Sequence, residues 1–432
     1  MPPMLDRFDS IRRWLGLAML CLAGVIASTG QTLVSVLLQP IKLDLGFSDA
    51  AIGLVTGIAI SIVGGLAAFP IAAAADRYGR RGVLAASIIA WSLAALAMGL
   101  APSAAVFSAG VVGFNLGDAA ILPLLYAMVP ALFDDDRRHR ANAILVATLT
   151  ACAFGVYAIG GLLYDWMSRV GGLGLDPWRS VFIVTALAGL LLAPALALLP
   201  PSRSAVTVEE RRAASWGAYL QFLRRDGLTA LAVIAALSIA YAAYLTASFW
   251  GPAMLQRRYG LPTADAGILL GWALGGASLL GIAVAAPVLR RVMAASGQAA
   301  SLRLMAAGAV AAAAAALLLP FAATAHLFVA TLALISFAMS FLFTSAPLVL
   351  QESSPERFRS RTIAFFPLLA LGVRAVSLPL IGYASDASGG DPQALIQAVT
   401  ILLVICLPLA ALIFWRIEPR YRAFLMTSRS RA

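Results

Sequence analysis

The sequence predicts an all-α polytopic membrane protein, with 12 transmembrane helices in two pseudo-symmetric six-helix bundles. Composition is the first reason: 61% of the 432 residues are apolar and 12% are charged. Water-soluble domains run closer to half apolar and a quarter charged, and disordered chains lie further toward the polar side. Length is the second, since a bilayer crossing takes about 20 residues and twelve such segments with their connections fill the chain. The third is the placement of basic residues, which cluster at alternate connections.

The expected crossings, in order, are 14–37, 50–75, 82–101, 104–130, 142–164, 180–199, 228–249, 266–289, 301–320, 326–348, 362–384 and 393–415. Each is a continuous apolar run, not the alternation that a membrane strand requires. Gly and Pro inside these runs are compatible with membrane helices. Ser10-Ile-Arg-Arg-Trp-Leu15 resembles a twin-arginine export signal. The apolar stretch continues to Leu38, too long for a signal's apolar region, so it is expected to persist as the first crossing.

With the N-terminus inside, the inner segments hold 25 basic residues and the outer segments five, namely Lys42, Arg169, Arg179, Arg257 and Arg258. That bias predicts a multi-pass inner-membrane protein with both termini cytoplasmic. The single lysine against thirty arginines suggests GC-rich coding and a bacterial source. The net charge of +11 is dispensed in small clusters instead of one surface, which favours anionic membrane lipid over nucleic acid as partner. Cys21, Cys152 and Cys406 lie far apart in apolar runs, and His139 and His326 are equally remote, so neither a disulfide framework nor a metal site is expected.

Residues 1–199 and 228–432 form the two expected bundles, joined by an inner linker at 200–227. Within the linker Trp216, Leu220 and Leu223 fall at helical spacing, flanked by Tyr219 and Phe222. Such a helix either lies in the headgroup zone or packs beneath the bundle. Six crossings in each half, with matching arginine-rich inner loops, suggest parallel repeats.

At Asp76-Arg-Tyr-Gly-Arg-Arg81 the chain resembles the major facilitator superfamily, whose second crossing ends in Gly-x-x-x-Asp-Arg-x-Gly-Arg-Arg/Lys; the leading glycine is Ala72 here. The resemblance implies the major facilitator fold, with crossings 1, 4, 7 and 10 lining a central cavity. It also implies a conformational gate: Asp76 meets the start of the eleventh crossing near Thr362, with Arg77, Gly79 and Arg80 shaping the turn and Arg359 on the matching loop.

A narrower resemblance is to spinster-like carriers of sphingolipids or lysophospholipids. It rests on Ser35–Gly53, on Gly117-Asp-Ala119, on Asp176-Pro-Trp-Arg179 and on Phe249-Trp-Gly-Pro-Ala-Met-Leu-Gln-Arg257. These carriers hold an Asn-Tyr-x-Asp-Arg run in the first crossing, thought to couple transport to protons. The same stretch here reads Ala27-Ser28-Thr29-Gly30-Gln31, with no titratable group.

Two ionisable residues fall near mid-bilayer, Asp118 and Arg374. A charge at a membrane helix centre costs about 2.5–3.5 kcal/mol on insertion scales, so such residues face a cavity, a partner or a substrate. Asp118 is the proton-coupling candidate. Arg374 offers fixed donors to an anion, with Gln31, Thr29, Asn115, Tyr241 and Tyr244 as further substrate-binding candidates, and Ser28 beside them. A permanent Asp118–Arg374 pair is the structural alternative. Trp91 and Trp272 are expected inside the bundle, and Trp14, Trp178, Trp250 and Trp415 at the interfaces. No phosphate-binding loop or nucleophile–base set stands out, so neither an ATP-driven pump nor an enzyme is expected.

These features predict a secondary active transporter, proton-linked, moving an amphiphilic or lipid-like anion and needing no cofactor beyond the proton gradient. It is expected to act as a monomer. A multidrug or metabolite exporter of the same fold is the alternative within transporters, and a non-transporting scaffold or sensor the alternative outside them.

Overall fold

The computed structural model describes residues 2–119, 121–200, 216–225, 227–355 and 358–429. Some side chains within those ranges lie outside the description, including Gln31, Asp76 and His139. The described residues are helical almost throughout and divide into two compact units, 1–205 with 261–271, and 206–260 with 272–432.

The first unit contains α1 (Pro2–Val36), a short α2 (Leu38–Leu45) and α3 (Asp49–Ile58). A π-helical segment, Ala59–Gly64, joins α3 to α4 (Gly65–Tyr78). Then follow α5 (Arg80–Gly99), α6 (Ala104–Asp118), α7 (Ile121–Leu132), α8 (Asp135–Arg169) and α9 (Pro177–Ala197). The second unit holds α10 (Trp216–Arg225), α11 (Leu228–Tyr259) and most of α12 (Thr263–Ser296). It continues with α13 (Ala300–Ala316), α14 (Ala325–Glu352), α15 (Arg359–Ala387) and α16 (Pro392–Arg429).

Among the described residues ten helices are long and apolar enough to cross a membrane. The count becomes eleven when Arg140–Leu149 and Phe154–Arg169, bent by 52°, are taken as one span. The remaining expected crossing, 50–75, is interrupted by the π segment and yields only the shorter apolar helices Asp49–Ile58 and Gly65–Ala75. The crossing expected at 104–130 is one of the ten, Ala104–Leu132, and comprises α6 and α7.

Small residues set the helix spacing in the first unit. A Cβ on Gly30 would fall 1.6 Å from the Phe114 ring, and one on Gly117 would fall 2.5 Å from the Trp91 backbone nitrogen. Gly161 passes so close to Ala264 that a Cβ would lie 2.5 Å from its carbonyl oxygen, whereas Gly155 faces open space. Backbones approach this closely only where no side chain intervenes.

At one end of this unit Arg179 fastens α9. It donates to Asp44 Oδ2 at 2.6 and 3.1 Å and to the Ala101 carbonyl at 2.5 Å, and its guanidinium lies 4.4 Å from the Trp178 ring centroid. Nearby Lys42 pairs at 2.6 Å with the fully buried Asp49. These contacts correct the expectation for Trp178, which is buried and not an interfacial anchor. Trp250 is also buried, and Trp272, expected inside, is 75% exposed. Trp91 is buried and Trp415 exposed, as the sequence suggested.

The linker helix α10 buries only part of the expected Trp216–Leu220–Leu223 line, of which the Trp216 side chain lies outside the described residues. Tyr219 and Leu223 are buried with Phe358, while Leu220 is exposed. Phe222 stacks on Phe358 at 5.2 Å, and Tyr219 meets Phe365 at 6.0 Å. The helix is therefore packed against the start of α15, and its aromatics serve that contact. Burial holds the Tyr219 phenol above its ordinary pKa, partly offset by a hydrogen bond with Thr362.

Candidate functional site

In the first unit the candidates gather near two helix irregularities. Asp118 is the last residue of α6, within the span Ala104–Leu132. The π segment faces α6, with the Gly64 side-chain position 3.6 Å from the Asn115 carbonyl. The α8 bend falls between Leu149 and Phe154. Such interruptions release backbone groups and frequently mark functional sites in membrane helices.

Asp118 is half-buried and opens onto a pocket of ≈ 130 Å³ lined by Gly24, Ala27, Ser28, Leu122, Leu125 and Leu149. Ser28 is the only hydroxyl in that lining among the described residues, and it donates to its own helix at the Gly24 carbonyl, 2.8 Å away. Among the described residues no hydrogen bond or ion pair reaches the Asp118 carboxyl. Thr29 and Asn115 are buried close by in sequence and also spend donors locally, on Ile26 at 2.6 Å and Val111 at 2.8 Å. Gln31 belongs to α1, and its side chain lies outside the described residues.

In the second unit Arg374 sits midway along α15 and is only 5% exposed. It lies within electrostatic reach of Tyr241 on α11. Tyr241 is half-buried against Phe343 at 5.4 Å and Phe366 at 5.5 Å. Tyr244, one turn away, has another task. Its hydroxyl shares a 2.8 Å hydrogen bond with Ser336, which shares a second, 2.7 Å, with Ser278. Thr246 and Ser377 form a further buried pair at 2.7 Å. Tyr244 thus cross-links helices, whereas Tyr241 presents an aromatic face beside a buried guanidinium.

The loop motif folds as a tight corner. Gly79 adopts φ +95°, a conformation that side chains with a Cβ resist. Arg80 donates to the Ala127 carbonyl at 3.0 Å, and Arg77 lies 5.3 Å from the Tyr78 ring. The Asp76 side chain lies outside the described residues; Arg359 is exposed at the first position of α15. Ser336, Ser278, Phe343 and Phe366 were not singled out by sequence. The only hint was hydroxyls within apolar runs. Among the described residues no His, Cys, Asp and Glu group could hold a metal ion.

The family model described as Major Facilitator Superfamily matches residues 20–369. The chain belongs to the major facilitator superfamily. An MFS-type efflux pump of Mycolicibacterium smegmatis is 26% identical over 425 residues, covering 96% of this chain and 95% of that protein. A puromycin resistance protein of Streptomyces alboniger is 28% identical over 44% of this chain and 36% of its own length. Among solved structures, a bacterial homologue of the human lysosomal transporter Spinster, inward-facing and unoccupied, superposes with TM-score 0.75 at 20% identity. It covers 96% of this chain and 97% of that one.

Membership makes this a multi-pass membrane transport protein, a secondary transporter of the fold that works by alternating access. It is not an enzyme. The relatives named above are bacterial. The match includes the Asp76–Arg81 corner and Asp118 and stops before Arg374.

Proposed function

We propose that this major facilitator exports small amphiphilic organic molecules, drugs or metabolites, in exchange for protons. The observation that carries the reading is one ionisable residue held within the long apolar helices of each unit: Asp118 in an apolar pocket, Arg374 buried beside an aromatic wall. Near-full-length similarity to an efflux pump supports the outward direction. In this reading the Asp118 carboxyl takes and releases the coupling proton, its charge governed by whether water reaches the pocket. Arg374 holds an anionic or acceptor group of the substrate, and Tyr241, Phe343 and Phe366 take its apolar face. Segment 49–78 serves as the twelfth crossing, completing two six-helix halves on either side of the linker. Asp76, Arg77, Gly79, Arg80 and Arg359 serve the conformational gate.

The lipid-like anion suggested by spinster resemblance is the narrower substrate reading. Its structural support shows the fold alone, and relatives named for efflux and drug resistance favour the exporter. The decisive experiment uses inverted vesicles containing the whole chain, with accumulation of amphiphilic drugs followed with and without an imposed proton gradient. Gradient-driven accumulation is expected in wild type and lost in Asp118→Asn at equal protein abundance. Accumulation unchanged in that variant would remove Asp118 from coupling; none in wild type would return the chain to the lipid or scaffold readings.

A further inference from the structure

A second pocket, polar and sharing no lining residue with that of Asp118, lies at the end of the first unit that carries the start of the first membrane span. It has a volume of ≈ 450 Å³. Arg12 and Arg13 of α1 and Arg81 of α5 line it, together with Asp134 and the apolar Phe133 and Leu199. Each contributing element meets the pocket at its end: spans begin at Arg12 and Arg80, and others finish at Leu132 and Ala197. That places the pocket at the level where hydrocarbon gives way to headgroups.

Its polar groups are only partly engaged. Arg13 Nη1 donates to Asp134 Oδ2 at 2.8 Å, and Arg81 Nη1 donates to the Leu199 carbonyl at 2.9 Å. Arg12 has no partner among the described residues, and it is exposed. The lining therefore sets three guanidinium groups against one carboxylate, above the buried side chains of Phe133 and Leu199. Capping of the α9 C-terminus accounts for Arg81, and ion pairing for Arg13. Neither accounts for Arg12.

We propose that this pocket binds the phosphodiester headgroup of an acidic phospholipid from the leaflet bordering the N-terminal end of α1. Guanidinium forks suit phosphate oxygens. The apolar floor distinguishes a lipid from a free phosphate ion, because it continues toward the membrane beside the first acyl carbons. Arg12 closes on the headgroup while Arg13 and Arg81 keep their protein bonds and contribute their remaining N–H groups.

Native mass spectrometry of the purified full chain, titrated with phosphatidylglycerol or phosphatidylcholine of identical acyl chains, tests this directly. Wild type is expected to retain one phosphatidylglycerol at least tenfold more tightly than phosphatidylcholine. Arg12→Gln should lose most of that preference, and Arg12→Lys should keep part of it. Arg290→Gln, an exposed arginine in the second unit, should leave it intact. Circular dichroism of each variant separates lost binding from lost folding.

Equal retention of the two lipids would overturn the proposal. Asp135 and Asp136, whose side chains lie outside the described residues, would produce that outcome if they neutralised the pocket. Equal loss in Arg12→Gln and Arg290→Gln would show a diffuse charge effect instead of a site. Displacement of the lipid by millimolar inorganic phosphate, with phosphate itself retained, would make this a free-anion site. None of these readings involves transport, so they stand or fall apart from the exporter assignment.

Discussion

Gly30 illustrates how a single absent side chain holds the Asp118 neighbourhood together. A Cβ there would land on the Phe114 ring, itself packed 4.7 Å from Trp91. Gly30→Ala must push that ring aside, and overpacking of this kind costs about 1–3 kcal/mol. Phe114→Leu removes the obstructing ring end. The double variant is therefore expected to melt well above the sum of the two single losses, with a coupling of roughly 0.5–3 kcal/mol. Thermal denaturation of the four proteins in one detergent measures it, and strictly additive losses would contradict the close approach. Gly117→Ala offers no such rescue, because its Cβ would strike Trp91 backbone atoms. At this scale the sequence singled out Asp118 and Arg374 as candidates, since charge in an apolar run is conspicuous. It did not separate Tyr241 from Tyr244. The two differ in what lies across from them, Phe343 and Phe366 for one and Ser336 for the other, and partners distant in sequence leave no local trace.

Among the elements, the linker helix shows where periodicity stops being informative. Its sequence permits two apolar faces, one through Trp216, Leu220 and Leu223 and another through Tyr219, Phe222 and Leu223. The choice is made by Phe358 and Phe365 on α15, more than a hundred residues away. Ten long apolar helices were legible because twenty consecutive apolar residues have few other uses. The π segment and the α8 bend were not, because a helix interruption depends on what neighbouring helices supply to the freed backbone. The packing of α10 carries its own expectation. Truncating a buried aromatic removes about 3–5 kcal/mol, more than an isolated ten-residue helix contributes by itself. Tyr219→Ala should therefore release α10 and speed proteolytic cleavage within 206–226, with the two units left folded. Tyr219→Phe retains the ring and should cleave at the wild-type rate. Equal protection of the alanine variant would show that the aromatic cluster does not hold the helix.

For the whole molecule the sharpest unexploited feature is charge asymmetry. The structure gives helix order and the packing inside each unit, but the side of the membrane on which the helices begin is encoded in the arginines. Of the 25 basic residues assigned to inner segments, each segment carries three to five, whereas no outer connection carries more than two. Orientation set by so many independent loops resists single changes. Reporter fusions therefore have a definite expected outcome. A fluorescent protein that matures only in the cytoplasm should shine when fused after Ala432, and alkaline phosphatase, active only outside, should stay silent there. Phosphatase fused at Gly260, the αL cap of α11 beside Arg257 and Arg258, should be active. Removing Arg77, Arg80 and Arg81 together should leave the C-terminal readout unchanged, because the other inner clusters still hold the frame. Active phosphatase at the C-terminus of wild type would invert the topology. The Arg12 pocket would then face the outer leaflet, and the carrier would run in the opposite sense to the exporter proposed above.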